Sequence, residues 1–163
     1  MQKQISSILA TAATTILFFG LTLFSQCTKD PCNDIKCLHG GTCKSGTCKC
    51  PTGYEGTTCN EKENDKFTGN YVGNDCGSTE TYVVKAQADT KTIWITVPDA
   101  FSGHIYGTVS GTTVSFPSQS LLIDTDYYTF SGSASLSGNT LSINYTVIDS
   151  DGNKASCNFV GTK

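Results

Sequence analysis

Cysteine is the residue type with the most chemical potential in this chain, and its nine copies fall into three groups. Cys27 stands alone at the end of an apolar N-terminal stretch. Six cysteines lie between Cys32 and Cys59, and Cys76 and Cys157 enclose most of the remainder. Cysteine at this density in a short exported chain indicates an oxidising compartment and disulfide bonds. Eight cysteines can pair, so the ninth needs another role.

The six-cysteine segment, residues 32–59, has almost no apolar core of its own. Its large apolar side chains are Ile35, Leu38 and Tyr54. A fold of this size needs covalent or metal staples. Structural zinc sites prefer paired C-x2-4-C knuckles, whereas only one residue separates Cys48 from Cys50. We therefore predict disulfides here and no metal, although six cysteines allow 15 pairings and counting cannot choose among them.

The same segment resembles an epidermal-growth-factor-like (EGF-like) domain in two runs, LHGGTC at 38–43 and CKCPTGYEGTTC at 48–59. The resemblance implies a small two-stranded hairpin, with turn geometry supplied by Gly53 and Gly56. It also implies the pairs Cys32–Cys43, Cys37–Cys48 and Cys50–Cys59. The acidic cluster that precedes the first cysteine in calcium-binding members is absent, so we expect no calcium in this module.

Residues 1–26 have the layout of a signal peptide, with Lys3 near the start and an apolar run that ends at Phe24. A permanent transmembrane helix is the alternative. Such a helix needs about 20 predominantly apolar residues, and serines and threonines dilute this stretch. We therefore favour an export signal.

The run LFSQC, residues 23–27, resembles the lipobox of bacterial lipoproteins in its looser, Bacteroidetes-type form. The resemblance implies cleavage before Cys27 and its acylation, as with palmitate. Residues 27–31 would then be a lipid anchor and tether. Residues 28–30, TKD, look like the short tag that directs such proteins to the cell surface. The expected location is the outer membrane. The alternative is a signal peptide with a free or intermolecular cysteine.

The segment 60–66 is charged and has no apolar residue, so we expect a solvated linker. From residue 67 to residue 163 the composition is typical of an all-β domain. Apolar residues alternate along Leu141–Val147 and again along Ile93–Val97. About eight short strands at hairpin spacing predict an antiparallel β-barrel, with a β-sandwich as the alternative.

A bridge between Cys76 and Cys157 would join the first strand region of this sheet to the last. The run Gly69-Asn70-Tyr71 and the turns VSGTTV and LSGNTL resemble small lipocalin-like domains of bacterial lipoproteins. That resemblance implies a barrel of about eight strands, with or without a ligand inside. The predicted fold class is therefore mainly β: a disulfide-rich EGF-like module followed by a small antiparallel β-barrel.

No group of residues has a pattern typical of catalysis. His39 and His104 lie in different domains, and no G-x-S-x-G run occurs. Asp149-Ser150-Asp151 faintly resembles the start of a calcium loop, but it lacks the distal glutamate and is better explained as a hairpin turn. We expect no enzyme, no cofactor and no metal.

The charge of the chain limits its partners. The net charge is −3 and arginine is absent, which argues against nucleic acid binding. The expected partners are a membrane, through the lipid anchor, and a surface protein, a glycan or a small apolar ligand. We expect a non-enzymatic binding or adhesion role at the cell surface, with a lipocalin-like carrier as the alternative.

The interior of the barrel separates these two functions. An apolar cavity of roughly 300 Å³ or more, open at one end, would favour the carrier. A filled interior with aromatic side chains exposed on one face would favour adhesion. In a domain this small we expect the aromatic candidates to be core residues: Trp94, Tyr106, Tyr127, Tyr128 and Phe130.

Overall fold

The structure is a computed structural model that describes residues 29–98 and 103–163. The expectations for the signal peptide, residues 1–26, and for acylation of Cys27 lie outside the described residues. No helix in the described part of the chain has both the length and the apolar character needed to cross a membrane.

Four short strands and three disulfides form the N-terminal module. The strands are β1 (Thr42–Lys44), β2 (Thr47–Lys49), β3 (Tyr54–Glu55) and β4 (Glu61–Lys62). They pair as two antiparallel ladders, β1 with β2 and β3 with β4. The disulfides join Cys32 to Cys43, Cys37 to Cys48 and Cys50 to Cys59, the pairs implied by the EGF-like resemblance.

Eight longer strands follow the module. They are β5 (Gly69–Asp75), β6 (Ser78–Ala86), β7 (Thr92–Thr96), β8 (Ile105–Ser110), β9 (Thr113–Ile123), β10 (Asp126–Ser137), β11 (Thr140–Ile148) and β12 (Lys154–Thr162). Each strand pairs antiparallel with the next, and β12 returns to pair with β5, which closes the barrel. The predicted mainly β fold with an antiparallel barrel is confirmed, and the sandwich alternative does not apply.

Side chains on alternate residues fill the barrel. Along β8 the burial alternates strictly, so that Ile105, Gly107 and Val109 face inward. One apolar cluster joins the buried side chains from all eight strands, with Phe67 at one end. Gly107 shows how tightly this interior is filled, because an added Cβ would lie 2.5 Å from Val114 and 2.6 Å from Phe116.

The two ends of the barrel differ because the chain reverses direction at every strand. At one end, which we call the module end, lie residues 87–91, 111–112 and 138–139, next to the N-terminal module. At the other, the mouth end, lie the connections 76–77, 124–125 and 149–153. The disulfide Cys76–Cys157 closes the β5–β12 seam at the mouth end.

The segment 60–66 is not solvated throughout, which corrects the sequence-based expectation. Glu61 and Lys62 form β4, and Asp65–Phe67 is a short 3-10 helix. Asn64 is fully buried, with its amide nitrogen 2.7 Å from the Thr92 carbonyl oxygen. Charged composition predicted exposure, but backbone carbonyls of the β6–β7 turn provide a buried polar site that one amide side chain can fill.

Further contacts hold the module against the barrel. Lys66 pairs with Glu55 across the junction, and the Gly111 amide donates to the Glu63 carboxylate. Gly53 is buried with a φ of 91°, and a Cβ there would lie 2.0 Å from the Thr90 hydroxyl oxygen. A glycine is required at this position both for its positive φ and for the close approach of the β6–β7 turn.

Candidate functional site

Three aromatic rings form an exposed surface on the outer wall of the barrel, which we call the aromatic platform. Its members are Trp94 on β7, Tyr106 on β8 and His104 just before β8. Trp94 is 40% exposed and Tyr106 is 47% exposed. They point outward because their neighbours in the strands, such as Ile93 and Ile105, occupy the inward positions.

The strand register brings the three rings together. Trp94 lies directly opposite Tyr106 in the β7–β8 ladder. The His104 ring stacks on the Trp94 indole with centroids 4.7 Å apart and an interplanar angle of 14°. His104 Nδ1 lies 2.9 Å from the Thr96 hydroxyl oxygen, which fixes the orientation of the imidazole. The platform is thus built from adjacent strands rather than from a loop.

The buried amide of Gln119 supports the platform from β9. Its Oε1 accepts a hydrogen bond from the Tyr106 amide at 3.0 Å, and its Nε2 donates to the Tyr106 carbonyl at 2.9 Å. The β8–β9 ladder has its last residue pair at Thr108 and Ser115. The Gln119 side chain therefore replaces backbone pairing around Pro117, which cannot donate a ladder hydrogen bond.

The expectation that the aromatic candidates are core residues is wrong for Trp94, Tyr106 and Tyr127. Tyr127 is 65% exposed, and Tyr128 is half-buried. The expectation is confirmed for Phe130, which is 3% exposed and packs edge-on against Phe116. A closed barrel has only one interior face, so residue size alone cannot decide which aromatic side chains point inward.

A cavity of about 220 Å³ opens at the mouth end of the barrel. Its walls are mostly apolar and include Phe130, Leu121 and Val97. Its polar lining residues are Asp75, Ser78 and Glu80, together with Tyr82 and Tyr145, whose hydroxyls meet the Asp75 carboxylate. The cavity occupies only one end, because the apolar cluster fills the rest of the interior.

Both tyrosine hydroxyls donate to Asp75. The Tyr82 hydroxyl lies 2.7 Å from Oδ2, and the Tyr145 hydroxyl lies 2.8 Å from Oδ1 and 2.9 Å from Oδ2. Burial, followed by the hydrogen bond to Asp75, raises the pKa of Tyr82 well above its usual value. The same two causes raise the pKa of Tyr145 to about 12. Both phenols are therefore neutral donors at physiological pH.

Only one group of side chains within the described ranges has the clustering that a metal ion needs. It consists of Asp75, Cys76 and Cys157. The two sulfur atoms are bonded to each other and cannot act as thiolate ligands. The group therefore offers one carboxylate, which is too few donors for a structural metal site.

The remaining sequence candidates lie apart from both sites. His39, at a φ of 50°, stacks on Tyr54 with ring centroids 4.0 Å apart, and its Nδ1 lies 2.8 Å from the Cys59 carbonyl oxygen. Asp149 accepts hydrogen bonds from the backbone amides of Asp151 and Asn153. A hydrogen bond from the Asn153 side-chain amide, together with these backbone bonds, lowers the pKa of Asp149, and the bonds form the β11–β12 turn, as the hairpin interpretation predicted.

Sequence reasoning missed Asp75, Tyr82 and Gln119 as site residues. Asp75 lies one position before Cys76, and the signal that could have found it is the proposed closure of the sheet by that cysteine. Tyr82 and Gln119 carry no comparable local signal. Their partners are 7 and 13 residues away in the sequence and meet them only through strand pairing.

The fold defines an all-β protein with a disulfide-rich module and a closed eight-stranded antiparallel barrel. The chain is similar to lactadherin of Mus musculus, with 38% identity over 77 residues, which cover 44% of this chain and 16% of that protein. It is also similar to the protein eyes shut homolog of Homo sapiens, with 50% identity over 40 residues, which cover 22% of this chain and 1% of that protein.

The chain spans less than a fifth of the length of either curated relative. No family model matches it, and no solved structure matches it significantly. These similarities support an EGF-like relationship and are compatible with a binding role.

Proposed function

We propose that this chain is a bacterial cell-surface lipoprotein with a non-enzymatic binding or adhesion role, and that the aromatic platform contacts glycans. The observation that carries the proposal is the exposed Trp94–His104 stack, with the exposed Tyr106 opposite Trp94 in the β7–β8 ladder. Large aromatic side chains at the surface of a small domain bury area at low entropic cost when a partner binds.

The chemistry of the platform fits a sugar ring. A pyranose has an apolar face of C–H bonds and a rim of hydroxyls. The Trp94 and Tyr106 rings offer apolar faces with negative quadrupoles to those C–H bonds. Around the rings lie groups that can hydrogen-bond hydroxyls: the Tyr106 hydroxyl, the Thr96 hydroxyl and the ammonium of Lys85, which pairs with Trp94 across the β6–β7 ladder.

The interior of the barrel argues against the alternative, a carrier of a lipid-sized apolar molecule. Side chains fill most of it, and the mouth cavity of about 220 Å³ is smaller than the roughly 300–1,000 Å³ of pockets that hold drug-sized ligands. A ligand with a long acyl chain has no space to enter without displacing residues such as Phe116 and Phe130.

The anchor and the location are part of the same proposal. They rest on the lipobox-like run at residues 23–27 and on the export signal before it. One acyl chain gives marginal membrane binding, whereas two or more give stable anchoring. Mass spectrometry of the native N-terminus tests this point. A mature N-terminus at Cys27 carrying acyl mass is expected, and an unmodified Cys27 would refute the anchor.

Glycan-array binding by the full chain in detergent tests the platform. We expect Trp94→Ala to reduce binding to any positive glycan by at least tenfold. Tyr127→Ala is the matched control, because Tyr127 is also an exposed aromatic residue of the barrel but lies outside the platform. Equal binding by the two variants would exclude the platform as the contact surface, whatever the glycan.

A further inference from the structure

We propose that the mouth cavity is a second binding site, separate from the aromatic platform, and that it takes a small organic cation: an ammonium group on a compact apolar body. The cavity lies at the end of the barrel opposite the module. In an anchored protein that end would face away from the tether, so the module would not obstruct it.

The size of the cavity limits the ligand. A volume of about 220 Å³ equals the space of roughly seven water molecules in the liquid. One aromatic ring with a short side chain fills such a space. The cavity walls would contact that ring on several sides, because Tyr82, Phe130 and Tyr145 all line it.

The hydrogen-bonding state of the polar groups determines the charge of the ligand. Tyr82 and Tyr145 have each committed their only proton to Asp75. What remains available at Asp75 is acceptor capacity, since a carboxylate has about four lone-pair sites, and the one further hydroxyl that lines the cavity is that of Ser78. Glu80 also lines the cavity and adds a second carboxylate. A ligand must therefore bring the donors.

No positive charge of the protein neutralises this site within the part of the chain that the structure describes. The described lining residues include no lysine or histidine. The ion pairs among residues 29–98 and 103–163 do not involve Asp75. An anionic ligand would be repelled, and a neutral apolar ligand would strip water from the carboxylate without replacing its hydrogen bonds.

The aromatic walls reinforce the preference for a cation. The Phe130 and Tyr145 rings lie 5.2 Å apart between centroids, and the Tyr82 ring stacks on Phe159 at 4.0 Å. An ammonium bonded to Asp75 would lie in a cavity lined by the rings of Tyr82, Phe130 and Tyr145, and aromatic rings attract cations most strongly where water is excluded. A charge-assisted hydrogen bond to Asp75 would fix its orientation.

Titration calorimetry of the full chain with three compounds of one shape tests the proposal: benzylamine, benzyl alcohol and benzoate. We expect benzylamine to bind at least tenfold more tightly than benzyl alcohol, and benzoate not to bind. Asp75→Asn keeps the shape of the side chain and removes its charge, so it should abolish the preference for benzylamine. The matched control is Asp124→Asn, an exposed carboxylate in the β9–β10 turn, which should leave the preference unchanged.

A second variant covers the case in which Asp75→Asn does not fold. Tyr145→Phe removes one donor to Asp75 and keeps the ring, so the carboxylate is freer to accept from the ligand and benzylamine should still be preferred by at least tenfold. Equal affinities of the wild-type chain for the amine and the alcohol, or no binding of any of the three compounds, would overturn the proposal. Glycan binding by Asp75→Asn is expected to be unaffected, which separates this site from the platform.

Discussion

Replacement of Asn64 by alanine should loosen the junction between the module and the barrel. Asn64 is fully buried, and its amide group points at three backbone carbonyls of the β6–β7 region. The distances from Nδ2 are 2.7 Å to the Thr92 oxygen, 3.1 Å to the Asp89 oxygen and 3.4 Å to the Gln87 oxygen. Two amide protons are thus shared among three acceptors, of which the Thr92 oxygen also accepts from the Gln87 amide.

The size of the expected loss in stability follows from these hydrogen bonds. Loss of two hydrogen bonds costs about 1 kcal/mol each, and leaving buried carbonyls unsatisfied costs about 1–3 kcal/mol more. One gain offsets part of this cost, because Asn64 Oδ1 is buried without a hydrogen-bond partner and its burial penalty disappears in the variant. We therefore expect Asn64→Ala to lower the free energy of unfolding by about 2–4 kcal/mol.

A near-isosteric variant sharpens the test. Asn64→Asp puts an acceptor-only carboxylate against three carbonyl oxygens, so at pH 7 it should destabilise more than alanine does. Desolvation and the carbonyls raise the pKa of the introduced carboxyl in the folded state above its unfolded value. The excess destabilisation should therefore shrink as the pH falls, since a protonated carboxyl can donate one hydrogen bond.

Urea unfolding gives the free energies, and hydrogen exchange of residues 87–92 locates the effect. Asn70→Ala is the control, because Asn70 is an exposed asparagine on β5. If the free energy of unfolding of Asn64→Ala lies within about 0.5 kcal/mol of that of Asn70→Ala, the Asn64 amide does not stabilise the junction and the reasoning is refuted. A loss of stability without faster exchange at residues 87–92 would also contradict it.

Three further predictions concern the barrel. Replacing Cys76 and Cys157 with alanine opens a loop of 81 residues, so the free energy of unfolding should fall by about 4–5 kcal/mol. Urea titration measures this change, and an unchanged unfolding midpoint would contradict the prediction. Gly107→Ala should lower the free energy of unfolding by about 1–3 kcal/mol, because the added methyl group overpacks against Phe116. An unchanged free energy would mean that the neighbouring side chains move to make room for it. Spectrophotometric alkaline titration should show two tyrosines, Tyr71 and Tyr145, ionising near pH 12, and Tyr145→Phe should remove one of these two ionisations. Because the folded-state pKa of Tyr145 is raised, its stabilising contribution is present below pH 10 and is lost as the pH rises toward 12.

Much of the barrel could be predicted from local pattern. Alternating burial along β8 and β11 follows the alternating apolar residues there, and turns fall at Gly111 and Gly138, both at positive φ. Strands such as β9 and β10 are longer than the short strands expected; in β9 the strand continues through residues 117–120, PSQS, which interrupt the apolar pattern. Local pattern also could not predict the bulge between Phe130 and Gly132, which depends on the partner strand.

The candidate sites were much less predictable. Trp94 and Tyr106 were recognised as an aromatic set, but whether they faced inward or outward depended on the register of the closed sheet. Asp75 drew no attention because a single aspartate before a cysteine has no distinctive pattern. It becomes part of a site only because Tyr145, 70 residues away, reaches the same end of the barrel.

The sequence by itself determined the elements of this protein: a cysteine-stapled module too small for a core, and a domain whose two-residue periodicity and turn residues require antiparallel strands. Both follow from short-range physics, namely chain connectivity, backbone preferences and alternating side-chain direction. Only the tertiary structure decided that the sheet closes, that Asn64 lies buried at the junction, and that Trp94 faces solvent while Asp75 lies at an apolar mouth. Those outcomes depend on which residues, distant in the sequence, lie together inside the barrel. The arrangement is determined only when all eight strands have paired and the barrel is closed.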